Sequence, residues 1–228
     1  MEDRIVTPIA EIRTDFPEKF GIPRQSNLIS GLTAEIRFFQ PYASMDAVKG
    51  LDGYDYIWLL WFFQGTRRDT FHATVRPPRL GGNETVGVFA SRSPFRPNGI
   101  GLSCVRLLEI RSEEGAPVLI VEGADLRDHT PIVDIKPYLP HMEAHPDARG
   151  GFAVEAAHHR LLVILPDEIA DQIPQEKRDV LIQILEQDPR PSYQDDPDRI
   201  YGLSFGNWNV RFTVAQDVLT VCEVVTID

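Results

Sequence analysis

Residues 54–63 read YDYIWLLWFF, a run dense in aromatic and branched apolar side chains that predicts a buried central strand. Around it, the sequence predicts further strands at residues 34–39, 85–90, 102–110, 118–123 and 130–134, and an edge strand over 4–13 that contains Pro8. Ser44 is placed to cap a short helix over 45–49. Short strands separated by loops rich in Pro and Gly predict a mostly β, barrel-like domain that extends to about residue 140.

A segment with Pro140, Pro146, Gly150 and Gly151 follows and predicts a linker. Beyond it we expect a strand at 159–165, a helical turn at 167–173, a helix from Pro174 to about residue 187, and strands at 200–204, 208–214 and 218–227. The chain is therefore predicted to contain a β-barrel domain at residues 1–141 and a smaller α+β domain at residues 142–228.

The 228-residue chain has an ordinary globular composition, with 43% hydrophobic and 25% charged residues. This balance argues against a disordered chain, and the length is sufficient to bury a core without a metal or a disulfide. No apolar run is long enough to span a membrane, and the first residues lack the pattern of a signal peptide, so we expect a cytoplasmic protein. Cys104 and Cys222 lie in alternating apolar runs and are expected to be buried, reduced thiols; a disulfide is the alternative.

The net charge of −11 argues at first against a polyanionic partner such as nucleic acid. The charge is unevenly distributed, however, because residues 142–228 hold sixteen acids against seven Lys and Arg. Residues 67–96 hold six arginines and only two acids, which gives a local charge of +4. Because the Arg fork suits phosphates, carboxylates and stacked bases, this bias favours a shaped site with few phosphate contacts over a diffuse basic surface.

Several familiar motifs are absent: the sequence has no P-loop, no HExxH metal motif, no CxxC pair and no GxSxG elbow. Gly99 and Gly101 lack the third glycine and the βαβ setting of a dinucleotide fingerprint. His141 and His145 have a spacing that suits two metal ligands on one helix face, but prolines flank them and no third ligand is evident. We therefore expect no metal site.

Two loops combine arginine, proline and glycine in the same way. Residues 87–103 read GVFASRSPFRPNGIGLS, and residues 75–83 read VRPPRLGGN. Proline fixes the backbone and glycine permits close approach, so such loops are rigid and can present Arg92 and Arg96 to a ligand. A rim loop built of turn residues is the alternative for either loop alone, but two of them in one domain favour an anion or nucleotide site.

These segments resemble the TsaA-like family of tRNA methyltransferases known as TrmO. The resemblance rests on blocks along nearly the whole chain: KFGIPRQ at 19–25, the two loops, DHTPIVDIKPYLP at 128–140, QDPRPSY at 187–193 and NVR at 209–211. It implies an antiparallel, non-Rossmann pseudo-barrel that binds S-adenosylmethionine near a homodimer interface. The implied reaction is N6-methylation of N6-threonylcarbamoyladenosine at tRNA position 37.

The resemblance also implies cofactor contacts at Gln25, Ser26, Asn27, Gln64, Gly65, Arg92, Leu102, His129, Thr130, Pro131 and Ile132. Two of these depart from the family pattern, since family members often have His where this chain has Gln64 and Gly where it has His129. The aromatic rings of Trp61, Phe62 and Phe63 could contact the positively charged sulfonium of the cofactor. The alternative for these three residues is packing in the core.

Asp134 and Tyr138 are the candidates for positioning or accepting the proton that the acceptor nitrogen must lose. The structural alternatives are an ion pair between Asp134 and Lys136 and a Tyr138 ring packed under the barrel. For the anticodon loop of tRNA, the expected contacts are Arg76, Arg79, Arg96, Asn98, Lys136, Arg190, Tyr193 and Arg211. The competing hypotheses are a nucleotide-binding module without catalysis and a purely structural dimer, which would leave the Arg-rich loops without a role.

Overall fold

The computed structural model describes residues 5–65, 70–77, 84–152, 160–190 and 196–227. Its first part contains eight strands: β1 (Ala10–Arg13), β2 (Thr33–Phe38), β3 (Tyr56–Phe62), β4 (Thr74–Val75), β5 (Val86–Gly87), β6 (Ile100–Glu113), β7 (Ala116–Glu122) and β8 (Thr130–Pro137). Six of them close into an antiparallel barrel in the order β1–β2–β7–β6–β3–β8, while β4 and β5 pair separately.

A short helix, α1 (Pro140–Glu143), follows β8, and its Glu143 accepts a hydrogen bond from the Trp58 indole of β3. The second part contains β9 (Leu162–Ile164), α2 (Asp167–Ala170), α3 (Gln175–Glu186), β10 (Tyr201–Phe205), β11 (Trp208–Ala215) and β12 (Val218–Thr226). Its four strands form one sheet in the order β10–β11–β12–β9, with β9 parallel to β12. The predicted fold class, a mostly β chain with an antiparallel barrel and a smaller α+β unit, is confirmed. No helix within the described residues is long and apolar enough to cross a membrane.

The central strand of the barrel is the apolar run that the sequence singles out. Ile57, Leu59 and Trp61 alternate along β3 and point into the barrel core. Strand β3 is hydrogen-bonded to β6 on one side and to β8 on the other. Because both edges are paired and one face is packed, a strand rich in aromatic and branched side chains is stable here.

The long connection at residues 14–32 joins the two parts of the molecule. Phe16, Ile29 and Leu32 are buried in the second core, together with the apolar face of α3. That face consists of Val180, Leu181, Ile184 and Leu185. Asp15 forms an ion pair with Lys177 of α3. The connection is therefore anchored to the second unit, although it links two strands of the barrel, β1 and β2.

Three local predictions are wrong. The expected edge strand at 4–13 is confined to β1, and closure of the barrel pairs it with both β2 and β8. The expected strand at 85–90 is only β5, because residues Val88–Ala90 turn into a 3-10 helix. Cys222 is exposed, and it lies at an irregularity of the β11–β12 pairing, where Arg211 pairs with Glu223 and Phe212 pairs with Val221, so that Cys222 has no partner in the register. Both cysteines are free.

Candidate functional site

A cavity of about 430 Å³ opens at the end of the barrel where β3 ends and β6 begins. Five chain segments meet around it: the connection at 19–25, the end of β3, the loop at 91–96, the start of β6 and the turn at 125–130. The lining residues are Lys19, Ile22, Pro23, Arg24, Gln25, Trp61, Phe63, Gln64, Ser91, Arg92, Arg96, Ile100, Gly101, Leu102, Asp125, Arg127 and Thr130.

Two aromatic rings form the apolar wall of this cavity. The rings of Trp61 and Phe63 contact each other edge to face, with centroids 4.4 Å apart. Gly101 lies opposite Trp61 in the β3–β6 register, and a Cβ atom there would lie 2.3 Å from the indole. The indole therefore occupies its place only because residue 101 lacks a side chain. Trp61 belongs both to the core and to the cavity, whereas Phe62 is not a lining residue.

A chain of hydrogen bonds runs from this wall to an acidic side chain. The indole N–H of Trp61 donates to Ser103 Oγ over 3.0 Å, and Ser103 Oγ donates to Asp125 Oδ1 over 2.5 Å. Burial raises the pKa of Asp125, although the hydrogen bond from Ser103, the backbone N–H of Ser26 and the nearby Arg92 act in the opposite direction. Asp125 is thus a carboxyl group that holds its proton more tightly than an exposed one.

Residues 25–27 close one side of the cavity. The Gln25 side chain accepts a hydrogen bond from Arg92 at 2.5 Å and lines the cavity. Asn27 has a φ of 61° and binds the barrel through both its backbone N–H, which donates to Gly123 O, and its side-chain amide, which donates to Cys104 O. Asn27 therefore holds residues 25–27 against the barrel, and Gln25, which is hydrogen-bonded to Arg92, is thereby kept at the cavity.

The two departures from the family pattern contact each other. Gln64 Nε2 donates to the carbonyl oxygen of His129 over 2.8 Å. Gln64 Oε1 is buried at the cavity and has no hydrogen-bond partner among the described residues. His129 has a φ of 59°, which lies in the region that glycine adopts most readily, and its ring contacts Glu11, Arg13 and Asp128. Gln64 thus lines the cavity and carries a buried acceptor that the described residues leave without a hydrogen bond.

The loop at 88–96 carries an exposed aromatic surface beside the cavity. The rings of Phe71 and Phe89 stack at 6.4 Å, and their exposed fractions are 62% and 72%. The Arg96 guanidinium lies 5.9 Å from the Phe89 ring and donates to the carbonyl oxygens of Ser91 and Val88. Arg96 therefore holds the loop in shape while it keeps Phe89 at the surface.

The cavity is strongly basic. Lys19, Arg24, Arg92, Arg96 and Arg127 line it, and Asp125 is the only acid among the described lining residues. Such an excess of cations favours an anionic ligand, and arginine in particular binds carboxylates through paired hydrogen bonds. The predicted rigid, arginine-bearing loop at 87–101 thus borders a cavity suited to an anion.

The structure brings together five of the residues that the resemblance assigns to the cofactor. Gln25, Gln64, Arg92, Leu102 and Thr130 line the cavity. The others lie around it without lining it: Ser26, Asn27, Gly65, His129, Pro131 and Ile132. Among these, Ile132 is fully buried in the barrel core, and His129 contributes its carbonyl oxygen to Gln64.

The predicted proton acceptors lie outside the cavity lining. Asp134 forms an ion pair with Lys136 at 2.8 Å, and Tyr138 packs edge-on against Tyr56 and Trp58. These contacts match the structural alternatives for the two residues, which are an ion pair with Lys136 for Asp134 and a packed ring for Tyr138. The assignment of Asp134 and Tyr138 to catalysis stays a prediction.

The predicted RNA contacts are dispersed. Arg96 lines the cavity. Arg76, which directly follows β4, and Asn98, which shortly precedes β6, are both exposed. Lys136, Arg190 and Arg211 form ion pairs with Asp134, Asp188 and Glu223. Arg79 and Tyr193 lie outside the described residues.

Sequence reasoning missed Asp125, Ser103, Lys19 and Arg127. The signal for Asp125 was its position: a single acid between Ala124 and Leu126, directly after an apolar strand. Its partner Ser103 is 22 residues away, and only the barrel brings the two together. Within the described part of the chain, no group of three or more His, Cys, Asp or Glu side chains is arranged to hold a metal ion.

The chain is similar to known proteins over most of its length. Family models match at residues 11–144, the tRNA-methyltransferase O N-terminal domain, and at residues 158–227, the TrmO C-terminal domain. The tRNA (adenine(37)-N6)-methyltransferase of Escherichia coli strain K12 is 40% identical over 214 residues, which is 90% of this chain and 91% of that protein. A putative S-adenosylmethionine-dependent methyltransferase, RcsF, from Pseudomonas aeruginosa is 39% identical over 96% of both chains.

A solved structure extends the similarity to the whole fold. The crystal structure of TrmO from Pseudomonas aeruginosa superimposes with a TM-score of 0.78 and 33% identity, covering 98% of this chain and all of that one. Sequence and fold therefore agree over both units of the molecule. The chain belongs to the TrmO family of tRNA (adenine(37)-N6)-methyltransferases.

Proposed function

We propose that this enzyme transfers the methyl group of S-adenosylmethionine to N6 of N6-threonylcarbamoyladenosine at position 37 of tRNA. The observation that carries the proposal is the cavity at the end of the barrel. It combines an aromatic wall, five cationic side chains and an unsatisfied acceptor in one place. Each of these three features matches a different part of the proposed ligands.

The residues present fit the cofactor. The Trp61 and Phe63 rings offer aromatic surface to a sulfonium, and Arg92 offers its guanidinium to the methionine carboxylate. Gln64 Oε1, for which the described residues supply no partner, would accept a hydrogen bond from an adenine amino group. When bound, the cofactor supplies a methyl group already activated by the positive sulfur.

The modified base would meet the remaining cations. A threonylcarbamoyl group carries a carboxylate, and Lys19, Arg24 and Arg127 line the cavity in addition to Arg92 and Arg96. None of these three cations has an acidic side-chain partner in the ion pairs found within the described residues. The protein would thus hold the acceptor by its carboxylate, align it in line with the methyl group and exclude water.

Methyl transfer to defined tRNAs tests this proposal. The protein and S-adenosylmethionine would be incubated with tRNA that carries threonylcarbamoyladenosine and with the same tRNA that lacks it, followed by mass spectrometry of the nucleosides. We expect a gain of one methyl on the modified nucleoside alone. Methylation of the unmodified adenosine would refute the proposed substrate, and cofactor binding without any methylation would favour the non-catalytic binding module.

Replacing Arg92 with Ala should weaken the binding of S-adenosylmethionine. Loss of a charged hydrogen bond to a carboxylate costs about 1.5–3 kcal/mol, which corresponds to roughly a 10- to 150-fold rise in Kd. Calorimetric titration with S-adenosylmethionine measures this rise. Arg111→Ala is the matched control, because Arg111 is exposed near the other end of β6 and pairs with Glu109. Equal affinity of the two variants would remove Arg92 from the site.

Replacing Phe89 with Ala should weaken the binding of tRNA and leave the binding of the cofactor unchanged. The exposed Phe89 ring, stacked on Phe71, offers a surface to an unstacked base of the anticodon loop. Base–aromatic stacking contributes about 1–3 kcal/mol, so KM for tRNA should rise roughly 5- to 150-fold. Phe39→Ala, at another exposed phenylalanine, is the control. If both variants have the KM of the unaltered protein, Phe89 does not contact RNA.

The homodimer and the cytoplasmic location that the sequence leads us to expect stay predictions. A second subunit is compatible with the exposed apolar side chains of Ile100 and Leu102 at the cavity, where it would restrict access of water.

A further inference from the structure

Asp125 lies in the wall of the cavity, where its carboxyl group can contact a bound ligand. It is the only acid among the described lining residues of the cavity, where five cations surround the expected ligands. Its neighbours in the chain, Ala124 and Leu126, are each 1% exposed and pack in the barrel core, so the backbone at Asp125 is fixed. The carboxyl group therefore has little freedom to leave the cavity.

The surroundings of Asp125 make it a stronger base than an exposed carboxylate. Burial raises its pKa, and the hydrogen bonds and the nearby Arg92 only partly offset that effect. Ser103, which is 1% exposed, donates its hydroxyl hydrogen to Asp125 Oδ1. Because the Trp61 N–H donates to Ser103 Oγ, the hydroxyl hydrogen of Ser103 is directed at the carboxylate. Trp61 and Ser103 are thus positioning residues for Asp125.

We propose that Asp125 is the catalytic base of the methyl transfer and accepts the proton that N6 of the adenine loses. This inference rests on the function proposed above. In the step, the N6 proton moves to a carboxylate oxygen of Asp125 and N6 forms a bond to the methyl carbon. The bond between carbon and sulfur breaks, and its electron pair stays on sulfur, which becomes a neutral thioether.

The charges balance inside the cavity. A negative carboxylate and a positive sulfonium are both neutralised in the same step, and the protonated carboxyl group suits its buried position. Asp134 lacks these advantages, because its carboxylate is paired with Lys136 and lies about 13 Å along β8 from Thr130 of the cavity. The structure therefore favours Asp125 over Asp134 as the proton acceptor.

The Asp125→Asn variant tests the inference. The Asn side chain keeps the size and can still accept a hydrogen bond from Ser103, but it cannot take up the proton. We expect the single-turnover rate with the modified tRNA to fall about 100- to 10,000-fold, which is the usual contribution of a general base. The Kd for S-adenosylmethionine, measured by calorimetry, should change less than threefold. Asp52→Asn, at an exposed carboxyl outside the cavity, should retain the full rate.

The pH profile distinguishes a base from a merely structural carboxylate. The rate should fall as pH falls through the pKa of Asp125, and this acid limb should be absent from the residual rate of Asp125→Asn. Ser103→Ala removes a hydrogen bond that lowers the pKa of Asp125, so it should shift the acid limb to higher pH. An unshifted limb in Ser103→Ala would contradict the inference.

The outcomes separate this inference from the proposed function. If the unaltered protein methylates the modified tRNA and Asp125→Asn does so equally fast, Asp125 is not the base. If Asp125→Asn loses cofactor binding, its role is to hold the cofactor and the inference is overturned. If the unaltered protein binds the cofactor but methylates no tRNA, the proposed function fails and the inference fails with it.

Discussion

Gly101→Ala should damage the site more than its single added methyl group suggests. The new Cβ atom would lie 2.3–2.7 Å from three ring atoms of Trp61, closer than real contacts allow, so the indole must move. Movement of the indole would break its hydrogen bond to Ser103 and withdraw its face from the cavity. We expect a loss of about 1–3 kcal/mol in the free energy of unfolding, the usual cost of overpacking a core.

Cofactor affinity should fall together with stability in Gly101→Ala. Loss of a desolvated cation–π contact of about 2 kcal/mol corresponds to roughly a 30-fold rise in the Kd for S-adenosylmethionine. Urea unfolding and calorimetric titration measure the two effects. Gly53→Ala is the matched control, because no described residue other than its chain neighbours has an atom within 4 Å of a Cβ at position 53. The double variant Gly101→Ala with Trp61→Phe should regain stability; a double variant as unstable as Gly101→Ala alone would exclude the clash as the cause.

Local sequence patterns predict the framework of this site well. The alternation of Ile57, Leu59 and Trp61 predicts the central strand, and the Arg, Pro and Gly of residues 87–101 predict a rigid loop at a ligand. Both signals are local, because strand period and backbone restriction depend only on neighbouring residues. The resemblance adds the antiparallel barrel and five of the cavity residues.

What the sequence could not supply depends on contacts between distant segments. Strand β1 is taken for an edge strand because nothing local shows that β8, more than a hundred residues later, closes the barrel against it. Asp125 is inconspicuous in the sequence, because only the fold buries it and brings Ser103 and Ser26 to it; burial raises its pKa, whereas the hydrogen bonds from the two serines act in the opposite direction. Asp134 is more conspicuous because it lies in a recognisable motif, yet the fold pairs it with Lys136 outside the cavity lining.

Gly21→Ala should show how the second unit supports the cavity. Gly21 has a φ of 86°, and a Cβ atom there would lie 2.0 Å from Cδ1 of Leu203, a fully buried residue of β10. The left-handed backbone costs a non-glycine residue about 1–2 kcal/mol, and overpacking against Leu203 adds about 1–3 kcal/mol. We therefore expect the free energy of unfolding to fall by about 2–5 kcal/mol, a large part of the stability of an ordinary domain.

The Gly50→Ala variant separates the two causes. Gly50 has a φ of 83°, almost the same as Gly21, but apart from its chain neighbours the described part of the protein places no atom within 4 Å of its Cβ position. Gly50→Ala should therefore lose only the backbone contribution, and the difference between the two variants, measured by urea unfolding, is the cost of the clash. Since Gly21 lies between Lys19 and Ile22 of the cavity lining, Gly21→Ala should also weaken cofactor binding in the folded protein, whereas Gly50→Ala should not. Equal losses of stability in both variants would show that Leu203 accommodates the methyl group and that the second unit does not fix this side of the cavity.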